Sequence, residues 1–204
     1  MAGSDVKAVF ITADTNAVDA ASVAAAARPN TDFTIDGTDT DGGVATFAAG
    51  RIITCTTAGT GDNGKTVTLT GTDVNGDAQT EVITLTGSAT AHAGTKFFKT
   101  ITAAAASAQP AANVSIGMAA DAADVIFAGR SRLKGAFIVN SATAGTLDFL
   151  TTSPTGTSAM KVGTVASATV TRDVNIPEEG ILFSGGVYIQ YTIATFTTIT
   201  AFHA

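Results

Sequence analysis

The chain has 204 residues and a mass of 20.3 kDa, enough for one large domain or two small ones and for a buried core without disulfides. Only 14% of residues are charged and the mean hydropathy is +0.31, yet no run approaches the roughly 20 apolar residues that span a bilayer, and a net charge of −6 disfavours nonspecific nucleic-acid binding. The 39 Ala, 36 Thr and 21 Gly make up nearly half of the sequence while Trp is absent, Cys occurs once and His twice, an inventory that argues against most enzyme classes.

Residues 1 to 50 read as an N-terminal arm or extension. Val6 to Ile11 has the character of a strand. Ala17 to Ala27 fits a short helix, with Thr15 or Asn16 as N-cap and Pro29 as its stop. Alanine propensity alone does not hold so short a helix in water, so an arm ordered only against a partner or the next domain fits equally. Asp36 to Gly43 then reads as a polar loop.

From Arg51 to about residue 120 the pattern predicts a first β module. Ile52 and Ile53 begin a Thr-rich strand that runs to Thr57. Val67 and Leu69 alternate with Thr66, Thr68 and Thr70, and Ile83 and Leu85 alternate with Thr84 and Thr86. This is the period-2 pattern of a half-buried sheet. Asp62-Asn63-Gly64 and Asn75-Gly76-Asp77 supply the positive-φ positions of tight turns. Phe97 to Thr102 and Val114 to Met118 add two strands, with Ala103 to Ala112 as the connection between them.

A second β module is predicted over residues 121 to 204, with the boundary inside the Ala/Asp stretch at 119 to 123. Strands are expected at Asp124 to Phe127, Leu133 to Asn140, Thr146 to Leu150, Met160 to Val165, Thr169 to Ile176, Ile181 to Phe183, Val187 to Thr192 and Phe196 to Phe202. Their spacing of roughly 8 to 12 residues, with Gly, Pro or Ser between them, is the rhythm of a sandwich, jelly roll or barrel. Fourteen Asp against three Glu agrees, since Asp favours turns and caps. The fold class is therefore all-β, with two sandwich-like or barrel-like modules after the arm. Larger apolar side chains form only about a quarter of the chain, so the core is expected to be thin.

Several segments resemble chemical motifs. Gly59-Thr60-Gly61-Asp62-Asn63-Gly64-Lys65-Thr66 fits the phosphate-binding pattern G-x-x-x-x-G-K-[ST]. That chemistry needs a helix at the end of the motif to present free N–H groups. Here a strand pattern follows Lys65 and Asp62 adds a negative charge, so a hairpin turn is expected. Asp36, Asp39 and Asp41, and likewise Asp73, Asn75 and Asp77, fit a calcium loop only in part, because the first spacing is irregular and strands flank the second. Asp-rich turns are expected there, with an incidental loop-bound calcium as the alternative.

His92 and His203 are far apart in sequence, and neither their spacing nor that of Cys55 suggests a zinc site or a nucleophilic triad. Cys55 is expected to be a small buried residue. Glu178 and Glu179 are adjacent in a Pro-Glu-Glu-Gly turn, where successive side chains diverge, so they do not form a catalytic pair. No catalytic residue, cofactor, metal or small-molecule substrate is expected. Arg130, Arg132 and Lys134, at i, i+2 and i+4, project from one face of an extended segment. They are the candidate partner-binding residues, a docking stripe for an acidic subunit. The alternative is an edge strand kept from aggregating by its charge.

The run Lys134-Gly135-Ala136-Phe137-Ile138-Val139-Asn140, with Ala144-Gly145-Thr146-Leu147, Ile176-Pro177-Glu178-Glu179-Gly180-Ile181-Leu182-Phe183, Gly185-Gly186-Val187-Tyr188-Ile189 and Thr198-Ile199-Thr200-Ala201-Phe202, resembles small all-β virion proteins of tailed bacteriophages. Residues 64 to 102 are similar to another module recurrent in phage structural proteins. The resemblance implies a non-enzymatic building block present in many copies on a virion. Within that class the first expectation is a capsid decoration, or cement, protein that binds the major capsid protein and itself, as a homotrimer. A neck, tail or fibre-base component is the alternative. Weakly charged Thr/Ala/Gly surfaces suit such contacts because they are cheap to desolvate.

A bacterial surface adhesion module shares the β patterning, but Met1 to Phe10 lacks the basic and apolar regions of a signal peptide. The expectation is a protein made and retained in a host cytoplasm and assembled there into virions, without membrane or nucleic-acid partners. A carbohydrate-binding module is disfavoured by the absence of Trp and the presence of only Tyr188 and Tyr191.

Overall fold

The computed structural model describes residues 5–166 and 168–204; the first four residues of the expected arm and Ser167 lie outside them. The chain divides into two compact units, one of Val18–Ala120 and one of Met1–Ala17 with Asp121–Ala204. Every regular element among the described residues is a β-strand, so the chain is all-β.

The Val18–Ala120 unit contains β2 (Asp19–Ala27), β3 (Thr40–Asp41), β4 (Val44–Thr57), β5 (Thr66–Thr72), β6 (Ala78–Thr84), β7 (Ala91–Ala106) and the first half of β8 (Val114–Phe127), with β1 belonging to the other unit. Its strands run in the order β8-β4-β7-β5-β6, with β2 added on β8 and β3 on β4. The alternation read from the sequence produces the core directly. Ile53 and Cys55 of β4, Val67 and Leu69 of β5 and Ile83 of β6 point inward, while the intervening Thr residues of β5 remain half-buried or exposed. Phe33, Phe47 and Phe98 fill the space between them.

Two Ala-rich segments differ from expectation. Ala17 to Ala27 is not a helix: Asp19–Ala27 is strand β2, paired with β8 through Asp19, Ala24 and Ala27 opposite Met118, Ile116 and Val114. Ser22, Val23 and Ala24 are buried in succession, and this tertiary burial outweighs the modest helical preference of Ala. Ala103 to Ala106, expected in a connection, continue strand β7, where small side chains lie opposite Val67 and Leu69 of β5.

The other unit contains β1 (Lys7–Thr12), the second half of β8, β9 (Ser131–Asn140), β10 (Gly145–Thr151), β11 (Thr157–Thr164), β12 (Thr171–Asn175), β13 (Ile181–Phe183), β14 (Val187–Thr192) and β15 (Phe196–His203). One sheet runs β1-β15-β9-β12, with β13 also on β9; the other runs β11-β10-β14-β8. The strands of this unit pair antiparallel, so each alternates an inner and an outer side chain. Ile138, Ile199 and Ala201 face inward from the first sheet and Phe149, Ile189 and Tyr191 from the second. Tyr191 of β14 meets Phe196 of β15 edge-on, with ring centroids 6.1 Å apart, so the two sheets pack as a sandwich.

The first fifty residues are thus shared between the units, β1 closing on β15 in one and β2 to β4 building the other. Val114 to Met118 and Asp124 to Phe127, expected as separate strands, are one strand, which gives its residues through Ala120 to one unit and the rest to the other.

Candidate functional site

The basic stripe is assembled at the start of β9. Arg132 and Lys134 occupy alternate positions of that strand, and Arg130 lies in the turn before it. β9 is bordered by β15 along one side and by β12 and β13 along the other. It is an interior strand, which corrects the edge-strand alternative: no open row of backbone groups exists there for charge to protect.

Two of the three cations are held by the turn at Pro177 to Gly180. Lys134 Nζ donates to the carbonyl oxygens of Glu178 and Glu179 at 3.2 and 3.0 Å. Arg132 donates to the Glu179 carbonyl at 3.3 Å, and its Nε lies 3.8 Å from the exposed Glu179 carboxylate. The turn presents those carbonyls because the Gly180 N–H donates back to Pro177 at 3.2 Å and Glu178 adopts φ +54°. Arg130 is different. It is exposed and forms no hydrogen bond or ion pair among the described residues.

Arg130 lines two recesses that share Ser131 and Ala204. The larger, about 260 Å³, is bounded also by Asp5, Lys7, Phe127 and His203; the smaller, about 140 Å³, by Arg132 and Leu182. His203 forms one wall, its ring stacked on that of Phe127 at a centroid distance of 5.1 Å. Its Nδ1 is 3.1 Å from Ser131 Oγ, and that hydroxyl donates to the Ala204 carbonyl at 3.1 Å. With the Ser131 proton directed at Ala204, His203 Nδ1 is the donor to the hydroxyl, the reverse of a base activating a nucleophile. Burial first, and the positive charge of Lys7 second, hold the His203 imidazole below its usual value.

The remaining sequence candidates are accounted for locally. The Gly59 to Thr66 segment enters β5 rather than a helix, with Gly61 at φ +100° and Gly64 at φ +80°; it is not the expected hairpin turn, because β7 lies between β4 and β5. The Asp62 carboxylate within it is enclosed, accepting from the Ala111 backbone N–H at 2.6 Å and from Lys65 Nζ at 3.0 Å; Lys65 Nζ also donates to the Gln109 carbonyl at 2.8 Å. The carboxylate and lysine that a phosphate site would have to free are thus bound to the fold. Asp73 Oδ1 accepts from the backbone N–H groups of Asn75 and Asp77, as turn-stabilising Asp residues do, whereas Asp36 Oδ1 accepts from the backbone N–H of Ala25 in β2. Among the described residues no three His, Cys, Asp or Glu side chains converge as metal ligands.

Strand register also makes neighbours that sequence spacing did not suggest. His92 of β7 lies directly opposite Cys55 of β4. Yet burial, and secondarily the charge of Glu81, push the Cys55 thiol up to about 12, so it stays protonated at neutral pH, the opposite of an activated thiolate. A recess of about 290 Å³ in the other unit is lined by Asp121, Asp148, Lys161 and Gln190, with Lys161 matched to Asp148 at 3.0 Å.

The outer face of the β1-β15-β9-β12 sheet carries a feature missed in the sequence. Phe10 pairs with Thr200, Thr200 with Phe137 and Phe137 with Asp173, so these four residues form one row across four strands. Phe10 is 65% exposed and Phe137 40%. Each Phe sits at an outward position of an alternating strand, which was the available signal; their alignment depends on register between remote strands. No protein-family model, curated protein or solved structure matches the chain.

Proposed function

We propose that the chain is a non-enzymatic structural protein of a tailed-bacteriophage virion, a capsid decoration subunit that binds the head shell and stabilises it. The observation that carries this reading is the row Phe10, Thr200, Phe137, which leaves two large aromatic side chains exposed on the outer face of a sheet. Burying such side chains against a neighbour stabilises each by about 1.5 to 3 kcal/mol, and Thr beside them adds little desolvation cost. Binding to a shell also stabilises a subunit by mass action, which suits a thin, Ala-rich core. The activity is mechanical: subunits bridge adjacent shell proteins and hold them together without a chemical step.

Electron microscopy of stripped heads of the encoding phage, mixed with the purified protein, tests this. Symmetric added density over the shell is the expected result. Density confined to one vertex or to the tail would replace decoration by the neck, tail or fibre-base role, and a stable monomer that binds no virion part would overturn the reading.

A further inference from the structure

We propose that the free edge of β1 pairs with the same edge of a second copy of this chain, antiparallel across a two-fold axis at Phe10, so that the two sheets become one. The inference does not depend on a virion role; it names a self-assembly surface and its register.

Backbone groups identify the edge. Among the described residues β1 pairs only with β15, from Lys7 opposite His203 to Thr12 opposite Thr198, without a bulge. The Ala13 N–H continues that ladder, donating to the Thr197 carbonyl at 3.0 Å. Hydrogen-bonded pairs alternate along an antiparallel ladder, so Lys7, Val9 and Ile11 also turn their backbone groups to β15. Ala8, Phe10 and Thr12 therefore turn theirs to the open side, where they meet no hydrogen-bond partner among the described residues, and all three are exposed.

Other edges of this unit carry protection against such pairing. β12, across the sheet from β1, is five residues long and holds Arg172 and Asp173. β11, at the edge of the second sheet, holds Lys161 and pairs with β10 through a register shift. Charge, shortness and bulges each deter the addition of a strand. Ala8 to Thr12 have none of these. The segment is uncharged and regular, and its Val, Phe, Ile and Thr favour strands.

A second copy fits this edge in register. With Phe10 opposite Phe10, Ala8 falls opposite Thr12, so the outward N–H and C=O groups of each strand meet those of the other. Lys7 falls opposite Ala13, and no like charges meet along the pair. The two Phe10 side chains come side by side on the outer face, a favourable aromatic cross-strand pair, and the row Phe137, Thr200, Phe10 continues into its symmetry mate. Each β1 has one open edge, so the contact closes at two copies.

Sedimentation equilibrium of the full chain tests this. The mass should rise with concentration from 20.3 kDa to twice that value and no further. Ala8→Pro removes an outward N–H while sparing the bonds to β15 and the Phe10 ring. It should weaken dimerisation roughly tenfold or more, with the circular dichroism spectrum of wild type. Phe10→Cys, at paired positions with Cα atoms about 5.5 Å apart, should form an intersubunit disulfide on mild oxidation, whereas Thr171→Cys on β12 should not. A monomer at every concentration, a trimer or open-ended aggregate, a dimer indifferent to Ala8→Pro, or no cross-link through Phe10→Cys would each overturn the proposal. Pairing through this edge only with an added virion protein would likewise overturn it while leaving the virion role standing. A dimer that passes each test but binds no virion part would do the reverse.

Discussion

Glu81 Oε1 accepts the backbone N–H of Thr95 at 2.6 Å, so that a side chain of β6 completes the hydrogen bonding of β7. The same oxygen accepts from Thr95 Oγ1 at 3.0 Å and from the Lys96 N–H at 3.2 Å. β5 pairs with β7 only from Thr100 onward, so upstream of it β7 has β4 on one side but no paired β5 residue on the other. Gly94 makes the approach possible, since a Cβ there would lie 2.3 Å from Glu81 Oε2. Glu81→Ala should lower stability by about 1 kcal/mol, because charge-assisted hydrogen bonds are lost while water can reach the donors of the exposed Thr95 and Lys96. Gly94→Ala should also destabilise. Urea denaturation checks both, and midpoints equal to wild type would contradict the bridging role.

Asp62 should make the fold acid-sensitive. Burial pushes its carboxyl up, but the hydrogen bond from the Ala111 N–H and the Lys65 ammonium outweigh burial and hold it below the usual carboxylate range. A depressed folded value means that this stabilisation is complete above the unfolded value of about 3.9 and is lost as pH falls through the folded one. In Asp62→Asn, stability should be lower than wild type at neutral pH, with the gap narrowing as the solution is acidified below pH about 4. Thermal unfolding across that range measures the gap; a constant gap would argue against the linkage.

Cys55 should be chemically silent in the folded protein. It is fully buried, and its thiol is pushed up to about 12. At pH 8 a disulfide reagent should label it only as fast as the unit opens and at once in denaturant. The raised value also means that its contribution to stability is complete below the unfolded thiol value of about 8.5 and is lost as pH rises toward 12. Rapid labelling under native conditions would place the thiol at an accessible site.

The exposed aromatic row should matter for association and not for folding. Phe10→Ser with Phe137→Ser should leave the unfolding midpoint within a few degrees of wild type, since surface substitutions stay within about 0.5 kcal/mol. The same pair should reduce occupancy on phage heads, as counted in electron micrographs. A large fall in the midpoint would instead assign both rings to the fold.

Contrast between successive residues decided how much was legible. Val67 and Leu69 among Thr residues, or Ile199 between Thr198 and Thr200, mark inner and outer faces, and these strands lie where the alternation predicts. Asn75-Gly76 marks a turn because Gly76 must adopt φ +85°. Ala17 to Ala27 and Ala103 to Ala106 carry no such contrast, since Ala suits either face and either element, so long-range pairing decides them. The site was legible as a set of three cations but not in its division of labour. Whether Arg132 and Lys134 are free depends on a turn more than forty residues later in the chain, brought alongside by β13. The burial of Asp62 likewise depends on Ala111, in a different loop.

The Gly59 to Thr66 segment shows what an anion-site sequence can become when the chain supplies its own anion. The Asp62 carboxylate is tethered beside its donors, at an effective concentration that dissolved phosphate does not match. It ties the turn at 61 to 65 to the loop at 109 to 111 as an internal ligand would. Such a ligand cannot be washed out or competed away at neutral pH, and protonation is its only route of release. In a protein with no disulfide, this loop-to-loop tie acts as a staple that proton concentration alone can open.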